Sequence, residues 1–183
     1  AREAAAESFV LLKNENDFLP LNETTDQEIA VIGAFAKNPR YQGVGSSRVH
    51  PTQVSTAYEA LADAVGEEQL TYTPGYPLGD DDGDPASMRE EAVSAARSAD
   101  IALVFAGLPP ASEAEGSDRT QLRMPAPHNQ LIDAVASAQP STGVVLSNGS
   151  AVAMPWRDGP AAILETWLAG QAGGAAKADV LFG

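Results

Sequence analysis

The chain has 183 residues, 44% of them hydrophobic and 20% charged, a composition that suits one globular domain with a real core. Its formal charge of -14 opposes nucleic acid, which needs a basic face, and would repel anionic lipid, whereas a neutral ligand meets no such barrier. The absence of cysteine excludes disulfides and thiolate chemistry, and no apolar run approaches the roughly 20 residues that cross a bilayer.

Metal binding would fall to histidines and carboxylates. The two histidines, His50 and His128, have no helical or hairpin spacing that pairs them, so no metal and no cofactor are expected. Both read as surface or packing residues. The sequence opens at Ala1 on an amphipathic pattern with no visible signal peptide, which says nothing about export if the chain is a piece of a longer protein.

In chain order, Arg2 to Asn14 reads as a helix, with Ala5, Phe9 and Leu12 on one face. A loop from Asn14 to Asn22 carries the apolar stretch 18–21. Glu28 to Gly33 is a first strand, and its unbroken run at 29–32 suits a parallel strand buried on both faces. The irregular stretch 34–54 contains Gly43-Val44-Gly45-Ser46-Ser47-Arg48. Thr56 and Glu59 form a capping box for a helix bearing Tyr58, Leu61 and Val65, and Leu70 to Thr73 is a weaker strand. Asp80 to Asp84 reads as a solvated acidic turn, because it lacks the alternating ligands and closing Glu of a calcium loop. Ser87 and Glu90 suggest a second capping box, followed by a stripe of Met88, Ala92, Ala95 and Ala96.

Ile101 to Ala106 is the most hydrophobic strand. A charged loop runs from Gly107 to Ala126, after which Pro127 favours a helical first turn with Leu131, Ala134, Val135 and Ala138 on its face. Residues 143–146 and 161–164 are further buried strands, and Gly174 to Phe182 is a closing helix with Ala178, Leu181 and Phe182 inward. The alternation predicts a three-layer α/β/α sandwich with a mostly parallel sheet of about five or six strands, flavodoxin-like in general architecture. Loops that follow parallel strands gather on one edge of such a sheet. The two longest, 34–54 and 107–126, should therefore bring Ser46, Ser47 and Arg48 beside Glu113, Glu115, Asp118 and Arg119.

The Gly-x-Gly-Ser-Ser element is a weak phosphate cradle. Its glycines lie ten residues past the strand, Arg48 stands where a third glycine belongs, and Pro51 blocks direct continuation into a helix. No Gly-x-Ser-x-Gly elbow supports a Ser-His-Asp triad. The carboxylates of the charged loop remain, set against the plainer possibility of a solvated surface loop. A Glu there can act as a general acid if partial burial or a neighbouring carboxylate raises its pKa. Asp118 and Arg119 are expected to pair ionically and brace the loop.

Ordered along nearly the whole chain are the pieces at 4–15, 19–21 and 29–33, then Gly45-Ser46-Ser47 and Glu115-Gly116-Ser117-Asp118-Arg119 with Leu122 and Pro125. Those at 131–135, Met154-Pro155-Trp156, 162–167, 170–174 and 179–183 complete the series. Together they make the chain resemble the second, C-terminal α/β-sandwich domain of family 3 glycoside hydrolases, the β-glucosidase and β-xylosidase group. The resemblance implies a retaining exo-β-glycosidase acting on a β-linked glucoside or oligosaccharide, with its site between two domains. It implies that an N-terminal barrel domain of the same protein carries an Asp nucleophile. Glu115 would be the acid/base, with Glu113 as fallback, and Ser46, or Ser47, would contact a sugar hydroxyl. Residues 1–183 are then one domain of a larger enzyme, lacking the barrel and ending where the family pattern continues into a further strand. Trp156, Trp167 and the Phe18-Leu19 segment are candidates for a face that meets the barrel, or else core residues. A non-catalytic carbohydrate-binding module and a flavodoxin-like nucleotide-binding domain remain as alternatives.

Overall fold

Continuous apolar runs with no polar side to present must be covered on both faces, and they form the middle of the sheet. A computed structural model describes every residue except Thr25, Asp80, Asp81 and Ser117. Its six strands are β1 (Val10–Asn14), β2 (Ile29–Ile32), β3 (Leu70–Thr73), β4 (Ile101–Gly107), β5 (Thr142–Ser147) and β6 (Ala162–Glu165), in the order β1-β6-β5-β4-β2-β3. Strands β2, β4, β5 and β6 are buried at every position. All pairs are parallel except β1 with β6. Without β1 the strand order is that of a flavodoxin-like sheet, and the order reverses between β2 and β4.

Five α-helices cover the sheet: α1 (Arg2–Ser8), α2 (Ala57–Val65), α3 (Pro85–Ser98), α4 (Ala126–Ala138) and α5 (Gly173–Phe182). Helix α5 packs on α1 and α2, while α3 packs on α4, which gives the expected three layers. The Thr56–Glu59 capping box forms: Glu59 N–H donates to Thr56 Oγ1 at 3.1 Å, and the Glu59 carboxylate accepts from Thr56 in return. The inward residues expected on α5 are buried. On α4 the buried set is His128, Leu131, Ile132, Val135 and Ala136, so the face is turned slightly from the one expected.

Two expectations need correction. The first helix stops at Ser8, and residues 10–14 form an edge strand antiparallel to β6. Helical periodicity through Leu12 lost to strand pairing, and Leu12 ends 48% exposed instead of inward. Helix α3 begins a turn earlier than a Ser87 cap would allow. Asp84 is its N-cap, accepting from Ser87 N–H at 2.9 Å, and Pro85 occupies the first turn. Within the acidic turn, the Asp82 carboxylate accepts from the N–H groups of Leu78 and Gly79, whereas Asp80 and Asp81 lie outside the described residues. No helix among the described residues is long and apolar enough to cross a membrane.

Beneath the reversal of strand order, three rings lock β2, β4 and α4 together. Tyr76 stacks on His128 with centroids 3.8 Å apart, and Phe35 meets both edge-on at 5.6 Å. The Tyr76 hydroxyl donates to Phe105 O and accepts from Phe35 N–H. Burial lowers the His128 pKa from 6.5 to about 4. As pH falls through that window the unfolded chain takes up a proton that the folded chain does not. Each pH unit crossed there costs about 1.4 kcal/mol, so stability should drop by roughly 3 kcal/mol between pH 6.5 and 4. In His128→Phe the loss of unfolding free energy between pH 7 and pH 4.5 should shrink by most of that amount, which equilibrium denaturant unfolding at the two pH values would measure.

Candidate active site

Adjacent parallel strands whose chain order reverses open a crevice at their carboxyl ends. The loops leaving β2 and β4 flank it. Gly33 opens the first at φ +113°, and a Cβ there would lie 2.0 Å from Phe105 O, so no other residue fits without moving the sheet. The two loops join again further out. Val44 and Ala114 form a parallel bridge, and Glu115 N–H donates to Val44 O at 3.0 Å.

Glu115 is exposed, and its Oε2 accepts from both Ser46 N–H (2.7 Å) and Ser46 Oγ–H (2.6 Å). Oε1 takes no partner among the described residues. The two Ser46 donors, the hydroxyl first, hold the Glu115 pKa below the ordinary carboxylate value. Gly45 makes room for this contact. Its φ is +128°, and a Cβ on it would come within 2.5 Å of Glu115 Oε2.

Glu113 is placed quite differently. Its side chain is 9% exposed and pairs at 3.2 Å with Arg40, itself 5% exposed. Both of its oxygens lie 2.9 Å from the Gly149 nitrogen, and Oε1 also accepts from Ser150 Oγ–H at 2.6 Å. Arg40 donates as well to Leu108 O at 2.9 Å and to Gln42 O. Burial pushes this guanidinium down from its ordinary value, and Glu113 opposes that fall.

The expected Asp118–Arg119 ion pair is absent among the described residues. Arg119 instead donates to Gln121 O (3.1 Å) on its own loop and to Ser150 Oγ (2.9 Å) and Ala151 O (2.8 Å), acceptors held in reach by the turn after β5. Asp118 is exposed, and Ser117 lies outside the described residues. Ser47, Arg48 and His50 are exposed beside Ser46. Trp156 and Leu19 belong to the core, whereas Trp167 is 39% exposed. Two open grooves adjoin the loops: one of about 740 Å³ lined by Glu113, Arg119, Leu122, Ser150 and Leu168, and one of about 850 Å³ lined by Arg123, Met124, Met154 and Arg157. Glu115 and Ser46 line neither.

Sequence reading missed a buried polar cluster beside these loops. The Asn148 amide donates to Glu165 Oε2 (2.9 Å) and Ser150 O (3.1 Å), and Trp167 N–H donates to Glu165 Oε1 (2.9 Å) with Trp167 held at φ +53°. Burial raises the Glu165 pKa and lowers that of the nearby Lys177 to about 8. A charged residue closing the apolar run of β6 was the available signal. Arg40 left none, since one arginine in a polar loop looks like any other. Among the described residues no three His, Asp or Glu side chains gather as a metal-binding set.

The order of strands and the two glutamates carried at the crevice define an α/β domain with a carboxylate-bearing edge, and comparison with known proteins says which kind. A model described as the glycosyl hydrolase family 3 C-terminal domain matches residues 9–183, and the chain belongs to that family. Over 184 aligned residues it is 53% identical to a thermostable beta-glucosidase B from Acetivibrio thermocellus, covering 100% of this chain and 24% of the relative. It is 47% identical to an exo-alpha-(1->6)-L-arabinopyranosidase from Bifidobacterium longum, covering 100% of this chain and 25% of the relative. The crystal structure of a Bifidobacterium adolescentis GH3 beta-glucosidase superposes with a TM-score of 0.89 at 46% identity, over 99% of this chain and 26% of that one. The chain thus spans about a quarter of the length of these relatives.

Removing the larger influence on the Glu115 carboxyl should be visible directly. Ser46→Ala is expected to raise the Glu115 pKa toward the ordinary carboxylate value while Ser46 N–H keeps part of the depression, as followed by side-chain carboxyl NMR through an acid titration.

Proposed function

We propose that this domain supplies the general acid/base of a retaining exo-β-glycosidase of β-glucosidase type, and that Glu115 is that residue. The observation that carries the reading is the contrast between the two glutamates. Glu115 is exposed at the mouth of the crevice, anchored through one oxygen and with the other unengaged among the described residues, whereas the Glu113 oxygens are enclosed by Arg40, Gly149 and Ser150. A proton shuttle needs a carboxyl oxygen free to meet the scissile oxygen, and what supports Glu115 in that role is that it keeps one such oxygen while both Glu113 oxygens already accept from donors.

In this mechanism an Asp from another part of the protein, in a barrel domain, attacks the anomeric carbon as Glu115 passes its proton to the departing glycosidic oxygen. Glu115, now a carboxylate, takes a proton from water as that water attacks the same carbon and frees the Asp. The Ser46 donors favour the carboxylate needed in the second half. The facing wall strips solvent from Glu115 and favours the protonated form needed in the first. Ser46 and Ser47, exposed beside Glu115, would also meet a sugar hydroxyl. Relatives named for glucosidase, arabinopyranosidase and xylosidase activities share this domain, which supports assigning sugar choice mainly to the residues of the other domain.

In the full-length protein, Glu115→Gln should lower kcat for alkyl β-glucosides by about 10²–10⁴-fold and leave the glycosylation step of dinitrophenyl glucosides nearly intact, because those leaving groups need no proton. A rise in KM across all substrates with kcat preserved would instead mark a pure binding role. The 183-residue chain by itself should hydrolyse aryl β-glucosides at background rates for want of the attacking carboxylate, so measurable turnover by the pure chain would refute the division of labour.

A further inference from the structure

Three loops meet at the carboxyl edge of the sheet, after β2, β4 and β5, and a single ion pair touches all of them. Arg40 belongs to the first loop and reaches Leu108 O at the root of the second. Its partner Glu113 lies on the second and takes Gly149 N–H and Ser150 Oγ–H from the third. Two residues after Glu113 comes Glu115, whose N–H is bonded to Val44 O on the Arg40 loop. Arg119 closes the far side of the same loop onto Ser150 and Ala151.

We infer that Glu113 is a positioning residue: with Arg40 it fixes the backbone from which Glu115 projects and takes no part in proton transfer itself. The geometry excludes a chemical role on its own terms. Donors from Arg40, Gly149 and Ser150 already converge on the two Glu113 oxygens. The side chain is 9% exposed and the paired guanidinium 5%, so a proton on this carboxyl would leave a buried cation without its counter-charge. A loop of about twenty residues would otherwise leave the carboxyl two residues on free to wander, and even a displacement of about 1 Å in a reacting group is costly to rate. The clamp and the catalytic carboxyl are thus neighbours in sequence with opposite requirements, one sealed and one open.

The clamp itself stands independently of catalysis, while its link to rate rests on the proposed acid/base role of Glu115; the experiment separates the two. Amide hydrogen exchange on the 183-residue chain is measured at Glu115 and Gly149 in wild type, Glu113→Gln and Glu115→Gln. Glu113→Gln should speed exchange at both amides at least tenfold with the sheet amides unchanged, and Glu115→Gln should leave Gly149 unchanged. Should Glu113→Gln fail to fold, Ser150→Ala removes one donor without stranding a charge, and a three- to fivefold acceleration at Gly149 is expected. Unchanged exchange in the folded variant overturns the clamp. In the full-length protein, Glu113→Gln should lower kcat at least tenfold on alkyl glucosides, more than on dinitrophenyl glucosides, and azide should not restore it. Azide rescue with formation of the glycosyl azide would show that Glu113 is itself the acid/base and overturn the assignment. Accelerated exchange with no activity loss in either Glu113→Gln or Glu115→Gln would keep the clamp and overturn the catalytic reading instead.

Discussion

A buried guanidinium is the constraint on which the edge of this domain depends. Arg40 sits where three loops converge, and its charge is tolerable there because Glu113 lies against it and the backbone carbonyls of Leu108 and Gln42 accept from it. That requirement fixes Glu113, Glu113 fixes the turn at Gly149 and Ser150, and the same turn receives Arg119. The exposed features of the rim, Ser46 and Glu115 among them, are carried on backbone that this buried charge pair has already ordered.

Most of the fold was legible because its strands are so plainly buried. The runs at 29–32, 101–107, 143–146 and 162–164 contain no polar residue, a pattern that only a sheet covered on both faces satisfies. The strand–helix alternation then left few arrangements, and the six-stranded α/β sheet is one of them. Where the reading failed, the residues obeyed two patterns at once. Residues 9–12 continue a helical stripe and are equally good strand formers, and only the vacant edge of β6, formed by a segment about 150 residues later, decides between them. The start of α3 failed for a smaller reason: Asp84 and Ser87 both cap helices well, and Pro85 favours the earlier one.

The site divided along the same line. Proximity of the Ser46 and Glu115 loops follows from topology alone, since both leave the carboxyl ends of neighbouring parallel strands, and the two side chains meet at 2.6 Å. The partners of Arg119 could not be inferred, because Ser150 and Ala151 lie on a third loop whose height above the sheet is set by packing. Nor could the enclosure of Glu113, which in sequence is as exposed-looking as Glu115. Electrostatic context of this kind is written in three dimensions, and the short spacing between the two glutamates conceals how unlike their surroundings are. The motif series from residue 4 to residue 183 carried the family assignment, and the match over residues 9–183 agrees with it.

The antiparallel strand β1 closes one side of the sheet, and its own outer edge pairs with no strand described. Val10, Leu11 and Leu12 are 41–48% exposed there, three consecutive apolar side chains with no charge among them. Unshielded backbone donors and acceptors beside apolar side chains invite another strand to add on, and proteins ordinarily blunt such borders with lysine, proline or a covering element. The lysine of this strand, Lys13, has its side chain 18% exposed and turned toward Glu15 and residues 157–158. The outer side of β1, like that of β3 at the opposite end of the strand order, is therefore a border to which a further strand can add, and a lysine or proline among residues 10–12 would close it.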